Sequence, residues 1–246
     1  MRTSNLKTIR PRLREVWRLS LPAILTQITT IAMQYIDSAM VGRLGANASA
    51  AIGLVASSTW LFNGVCYALS AGFSVQVAHR IGAGNARGAR SVEKNGLLAG
   101  LLVSGLLCLL GSLIHAHLPV WLKGDAEITG DAGRYFLSFS WMLPFTQLCS
   151  LTSSFLQCAG DMLTPSILNA VMCVLDVAFN ALLIPLLGVF GAGLGTMLAC
   201  AVVAVVMVIL CCFRNESLRF RSGEHHPVDG AVLKTALRIG TPVALQ

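Results

Sequence analysis

Charge is scarce along this chain. Asp and Glu number 11 and Lys and Arg 18 among 246 residues, 12% charged in all, against 55% hydrophobic. With a mean hydropathy of +0.71, too few polar side chains are available to cover a soluble domain of this size, which excludes a water-soluble fold. No loop is long enough to carry a basic face, so the net charge of +7 does not indicate nucleic-acid binding. A cleavable signal peptide is also lacking: the apolar stretch after Arg18 is long, and no small-residue cleavage site follows it. Disulfide and metal-ligand spacings are missing as well. Cys66, Cys108, Cys149, Cys158, Cys173, Cys200, Cys211 and Cys212 all lie in or at the edge of apolar stretches and read as small buried hydrophobes. His225-His226 has no Cys or further His at ligand distance. Gly82-Ala-Gly84-Asn-Ala-Arg-Gly88 has the glycines of a phosphate loop but no preceding strand, and reads as a loop bearing Arg87 and Arg90.

What is abundant is long apolar sequence rich in Leu, Ala, Val and Gly. It lacks the alternation of an outer-membrane barrel, so the spans are helical and the chain is an all-α membrane protein embedded in a lipid bilayer. Six spans are expected at 16–41, 52–78, 96–116, 135–158, 165–187 and 189–213, with a seventh starting near Leu237. The uncharged stretch from 177 to 213 is too long for one helix, and the glycines of Gly188-Val-Phe-Gly-Ala-Gly-Leu-Gly195 place a turn there. Of the 18 basic residues, all but Arg43, Lys123 and Arg134 fall on one side of the membrane if the N-terminus is cytoplasmic. The expected organisation is a cytoplasmic segment (1–15), a six-helix lobe (16–213), a cytoplasmic linker (214–236) and the start of a further helix (237–246).

Against this background one carboxylate stands out. Asp37 is the only charged residue between Arg18 and Arg43, and a charge at membrane depth normally faces a protein interior or an aqueous cavity. A snorkelling role at the helix end is the alternative, Arg43 being close in sequence. Asp176 has no such escape, since it lies about eleven residues, roughly 16 Å, into its span from Pro165. Asn180 follows one turn later and shares a helix face with it. Polar residues such as Asn180 and Thr196 also bridge membrane helices simply for packing.

The start and end of the chain share a pattern. Trp17-Arg-Leu-Ser-Leu-Pro-Ala-Ile-Leu-Thr-Gln27 and Leu237-Arg-Ile-Gly-Thr-Pro-Val-Ala-Leu-Gln246 align Arg18 with Arg238 and Pro22 with Pro242. Both copies follow a basic stretch at the start of a span, as in a duplicated architecture with parallel repeats.

Several ordered motifs resemble the multidrug and toxic compound extrusion (MATE) transporters. Leu19-Ser-Leu-Pro22 through Asp37 to Val41-Gly-Arg-Leu-Gly45 is similar to that family's first helix. Gly72-Phe-Ser-Val-Gln-Val-Ala-His-Arg-Ile-Gly-Ala-Gly-Asn-Ala-Arg-Gly88 resembles its second helix and loop. Phe155-Leu-Gln-Cys-Ala-Gly-Asp-Met-Leu-Thr-Pro165 resembles the turn between the fourth and fifth helices, and Gly188-Val-Phe-Gly-Ala-Gly-Leu-Gly-Thr196 the start of the sixth. The resemblance implies one lobe of a two-lobed (6+6) transporter, completed by a C-terminal lobe or a second copy of the chain. It further implies no enzymatic activity and no cofactor, but export of small organic, often cationic, compounds across the plasma membrane in exchange for H⁺ or Na⁺. Within the resemblance, Asp37 is the first-helix carboxylate of the cation site, Pro22 the proline where that helix bends, and Thr196 a sixth-helix hydroxyl near the site. The fifth helix departs from the pattern: where the family commonly has Asn then Asp four residues on, this chain has Asp176 then Asn180. A Na⁺ at Asp37, Asn180 and Asp176 and a proton are both compatible with that set.

Other functions are open to the sequence. A pair of intramembrane aspartates suits an aspartyl protease, but Leu175-Asp176 lacks the Gly-x-Gly-Asp that such enzymes carry. A flippase of lipid-linked sugars shares the fold but lines its cavity with more cationic residues. A lone, inert lobe is the third alternative.

Overall fold

The computed structural model describes residues 3–215, 218–219 and 229–244, excepting the side chains of 3–16, 18, 19, 22, 23 and 244. The described residues form α1 (Thr3–Gly42), α2 (Ala46–Gly82), α3 (Ala86–Ile114), a short α4 (Leu118–Trp121), α5 (Ala126–Cys158), α6 (Leu163–Leu187), α7 (Val189–Ile209) and α8 (Gly230–Ala244). A π-helical turn, Leu210–Arg214, continues α7. Helix α1 starts at Thr3, so most of the expected leader is helical, in keeping with the helix-forming Leu, Lys, Arg and Glu in it. His225, His226 and the middle of the expected linker lie outside the described residues. Helix α8 begins at Gly230, ahead of the expected start at Leu237.

Among the described residues, four helices, α2, α3, α6 and α7 with its π turn, are long and apolar enough to cross a membrane by length and composition. Many large apolar side chains face outward on them, among them Trp60, Leu102, Leu106, Leu113, Val174 and Leu186, as lipid contact requires. Helix α5 covers the expected span 135–158 but is more polar, and the reason is its place. It packs against α2, α3 and α7 at the centre of the bundle, where Ser138, Ser140, Gln147 and Thr152 are buried. Ser140 and Thr152 donate to carbonyls of their own helix, and Gln147 Nε2 donates to Ser70 Oγ at 3.2 Å. A helix shielded by neighbours needs no apolar outer face.

Two apolar clusters fill the bundle at opposite ends of α5. Phe62, Phe136, Phe139 and Leu143 form one, with Phe62 and Phe136 edge to face at 5.6 Å. Phe73, Leu151, Phe155, Val203 and Met207 form the other, and Val232 and Ala236 of α8 join it. Helix α8 lies on α2 where Gln76 Nε2 donates to the Val232 carbonyl at 3.1 Å.

The α6–α7 junction is tighter than the glycine-rich sequence suggests. Only Gly188 makes the turn, at φ 61° and ψ −135°, a region L-residues avoid. Gly191, Gly193 and Gly195 are helical and buried inside α7, where they admit close neighbours: a methyl at Gly191 would collide with the Leu183 carbonyl, and one at Gly193 with Ser138. The expected turn at 188–195 is therefore one residue long, because tertiary packing uses the other glycines for close approach.

The stretch at 82–88 also differs from expectation. Asn85 caps α3, its side chain accepting from Gly88 N at 2.8 Å, so Arg87 and Arg90 belong to a helix and not a loop. Arg90 is 4% exposed and Glu93 fully buried. Cys211 Sγ on the π turn donates to Glu93 Oε1 at 3.2 Å.

Gly191→Ala is expected to destabilise the chain by about 1–3 kcal/mol, as overpacking does. Gly105→Ala, where nothing lies within 4 Å of an added methyl, is expected to be neutral or stabilising. Thermal unfolding of both variants in detergent micelles checks the contrast.

Candidate functional site

Helix α1 docks chiefly on α6. Near one end of this seam Thr26 Oγ1 donates to Ser166 Oγ at 2.9 Å; near the other lies Asp37. Asp176 and Asn180 sit one turn apart on α6, so a single face carries both toward α1. Both are fully buried.

The three side chains make one cluster. Asn180 Nδ2 donates to Asp37 Oδ1 at 2.9 Å and to Asp176 Oδ1 at 3.3 Å. One amide thus uses both N–H groups to bridge two carboxylates on different helices, the most such a group can do. Asp37 and Asp176 are linked through this amide. The Asp-then-Asn order matters here: the neutral amide is next to Asp37, and the second carboxylate is one turn deeper along α6.

Two oxygens of the cluster, Asp176 Oδ2 and Asn180 Oδ1, are buried without a hydrogen-bond partner. Buried acceptors left bare are costly, and a proton or a small hard cation is the species that would satisfy them. Helix α7 makes room for this arrangement through Gly195, where any side chain would strike Asn180 Oδ1.

Asp37 also opens onto a cavity of about 180 Å³ lined by Ser38, Val41, Ser49, Ile52, Tyr135, Ala192 and Thr196. No Lys, Arg or His is in this lining, so nothing in it balances a carboxylate charge. Tyr135 stands in the wall of this cavity with Asp37. Thr196 shares the cavity wall, but its hydroxyl donates to the Ala192 carbonyl of its own helix at 3.1 Å. Thr196 also lines a second, larger cavity, which makes it the residue common to both.

The structure therefore brings Asp37, Asp176 and Asn180 into contact and sets Thr196 across the cavity from Asp37. Pro22 lies within α1 by backbone, but its side chain falls outside the described residues. Sequence reasoning missed Tyr135, Ser38 and Ser49. Tyr is rare here, three in the chain, and a Tyr directly after Arg134 at a span boundary was the one signal available.

A family model described as MatE matches residues 22–182. The chain is 31% identical over 250 residues to a probable multidrug resistance protein NorM of Rhodopseudomonas palustris, covering 96% of this chain and 51% of that protein. It is 27% identical over 240 residues to a protein of the same description from Thermotoga maritima, covering 95% of this chain and 51% of that one. Among solved structures, the outward-facing conformation of a multidrug resistance MATE family transporter of the MOP superfamily superimposes with a TM-score of 0.86 at 21% identity, over 93% of this chain and 51% of that one. The chain thus spans about half the length of the relatives it matches.

Asn180→Ala is expected to lower stability by about 1–3 kcal/mol, since both carboxylates lose a donor in a buried site. Adding Asp176→Asn to that variant is expected to recover part of the loss. A double-variant loss equal to the sum of the single losses in thermal unfolding would mean that the two residues are not coupled.

Proposed function

The chain belongs to the MatE family, and on that premise we propose that it is the N-terminal lobe of a secondary antiporter that exports organic cations in exchange for an inward-moving ion. The observation that carries this reading is the Asn180 bridge between Asp37 and Asp176, with its two bare acceptor oxygens beside a cavity free of basic residues. A carboxylate away from water is costly as an anion, so the cluster favours being neutralised. A proton, a Na⁺ or a cationic substrate each does this, and three species competing for one carboxylate pair is the basis of exchange. H⁺ needs only Asp37 or Asp176 as its carrier; Na⁺ would take oxygens from Asp37, Asp176 and Asn180, donors suited to a hard cation.

Conformational coupling follows from where the pair lies. Asp37 and Asp176 sit on opposite sides of the α1–α6 seam, so occupancy of the site changes the attraction between those helices. When the site is neutralised, α1 rests on α6. When both carboxylates are charged their repulsion loosens α1, and a bend at Pro22, which has no N–H to hold the helix, lets it move. The second lobe, from a longer chain or a second copy, supplies the other wall of the substrate path. We place the protein in the plasma membrane with its N-terminus cytoplasmic, on the distribution of Lys and Arg. The absence of Lys and Arg from the lining of both cavities argues for cationic substrates over an anionic lipid-linked sugar.

The test is export of a fluorescent organic cation from cells lacking their own efflux pumps, using a transporter that contains this lobe. Asp37→Asn is expected to reduce export at least tenfold, with protein level in the membrane unchanged. Collapse of the pH gradient and of the Na⁺ gradient, applied separately, identifies the coupling ion. Unchanged export by Asp37→Asn would overturn the assignment.

A further inference from the structure

The larger cavity, about 520 Å³, lies among α1, α2, α5, α6 and α7. Six of the fifteen residues in its wall carry sulfur, and the others carry hydroxyl or amide groups. Cys149 on α5 and Cys200 on α7 both line it, together with the thioethers of Met33, Met142, Met172 and Met207. The two thiols face each other across the helix pair, Sγ to Sγ 3.9 Å, and Thr146 Oγ1 lies 3.7 Å from Cys200 Sγ. No Asp, Glu, His, Lys or Arg is in the lining. Cys149 Sγ also donates to the Cys200 carbonyl at 3.7 Å.

We propose that Cys149 and Cys200 form a binding site for a soft monovalent metal cation, Cu(I) or Ag(I), completed by a Met thioether of the same cavity. Three arguments carry it. Thiolate and thioether donors select soft ions, whereas carboxylate, carbonyl and water select hard ones. With a metal–sulfur bond of about 2.3 Å, two sulfurs at a trigonal angle are about 4 Å apart, which the 3.9 Å separation already meets. Charge balance favours a monovalent ion: M⁺ bonds to one sulfur as its S–H bond breaks and the proton leaves to solvent, while the second sulfur binds as a neutral thiol. The site therefore gains no net charge in a low-dielectric interior. Zn²⁺ fits less well, because it closes its shell with four strong donors and only two thiols are offered here. The site is separate from the Asp37 cluster and does not depend on the transport reading.

The reduced chain in detergent micelles, kept anaerobic, is titrated with Cu(I) buffered by a chelator of known affinity. One tightly held Cu(I) per chain is expected, its affinity falling in Cys149→Ser and in Cys200→Ser by more than the roughly 10–100-fold that an outer-shell change costs. The Cys211→Ser/Cys212→Ser variant is expected to bind as the wild type does. Wild-type protein supplies a check that does not depend on folding of the variants: Cu(I) is expected to slow maleimide alkylation of Cys149 and Cys200 while leaving Cys173 unaffected. Equal Cu(I) affinity in the Cys149→Ser/Cys200→Ser double variant, or unchanged alkylation of Cys149 and Cys200, would overturn the proposal.

Discussion

Two carboxylates held apart by one amide inside an apolar bundle is the constraint on which the rest depends. Asp37 and Asp176 belong to different helices, and Asn180 Nδ2 reaches both. The contact is favourable only while charge on the pair is limited, because no basic side chain lines the adjoining cavity. Local structure bends to preserve it. Gly195 forgoes a side chain so that Asn180 can rest against α7, and Gly188 takes a left-handed backbone so that α6 and α7 lie side by side at that level. Helix α1 has few other partners, so the state of this cluster bears directly on how firmly the helix is seated.

The two cavities give that constraint a consequence. The smaller one exposes Asp37, the larger one is lined by uncharged hydroxyl, amide and sulfur side chains, and Thr196 on α7 belongs to both walls. Helix α1 lines both as well, through Asp37, Ser38 and Val41 in one and Thr29, Thr30 and Met33 in the other. The proposed movement of α1 would therefore change both spaces at once, coupling their occupants without direct contact. The central position of the polar helix α5, packed in two apolar clusters, is the frame against which the proposed movement of α1 would take place.

Much of this was legible in the sequence, for a physical reason. In a chain with so little charge, an aspartate inside an apolar stretch is a strong signal, and the four-residue spacing of Asp176 and Asn180 fixes a common helix face before any tertiary information is used. The helix boundary at Gly188 was legible for the same local reason. What the sequence left hidden depends on neighbours distant along the chain. The glycines at 191, 193 and 195 suit a turn by local preference, yet Leu183, Ser138 and Asn180 make them helix-packing positions. Arg90 reads as an exposed loop arginine until α3 turns it inward beside Glu93. Tyr135 enters the site only because α5 passes α1 and α7 at the level of Asp37, and the facing of Cys149 and Cys200 arises from two helices with no shared local pattern.

At the centre of the account is the proposal that the Asp37 cluster, holding a proton when Na⁺ is absent, gives it up when an organic cation binds. Proton release on adding an organic cation to the protein in lightly buffered detergent solution measures it most directly. The account predicts protons released in proportion to the cation bound by the wild type, and none by Asp37→Asn. Equal release from both proteins, or cation binding by the wild type with no release in the absence of Na⁺, would contradict it.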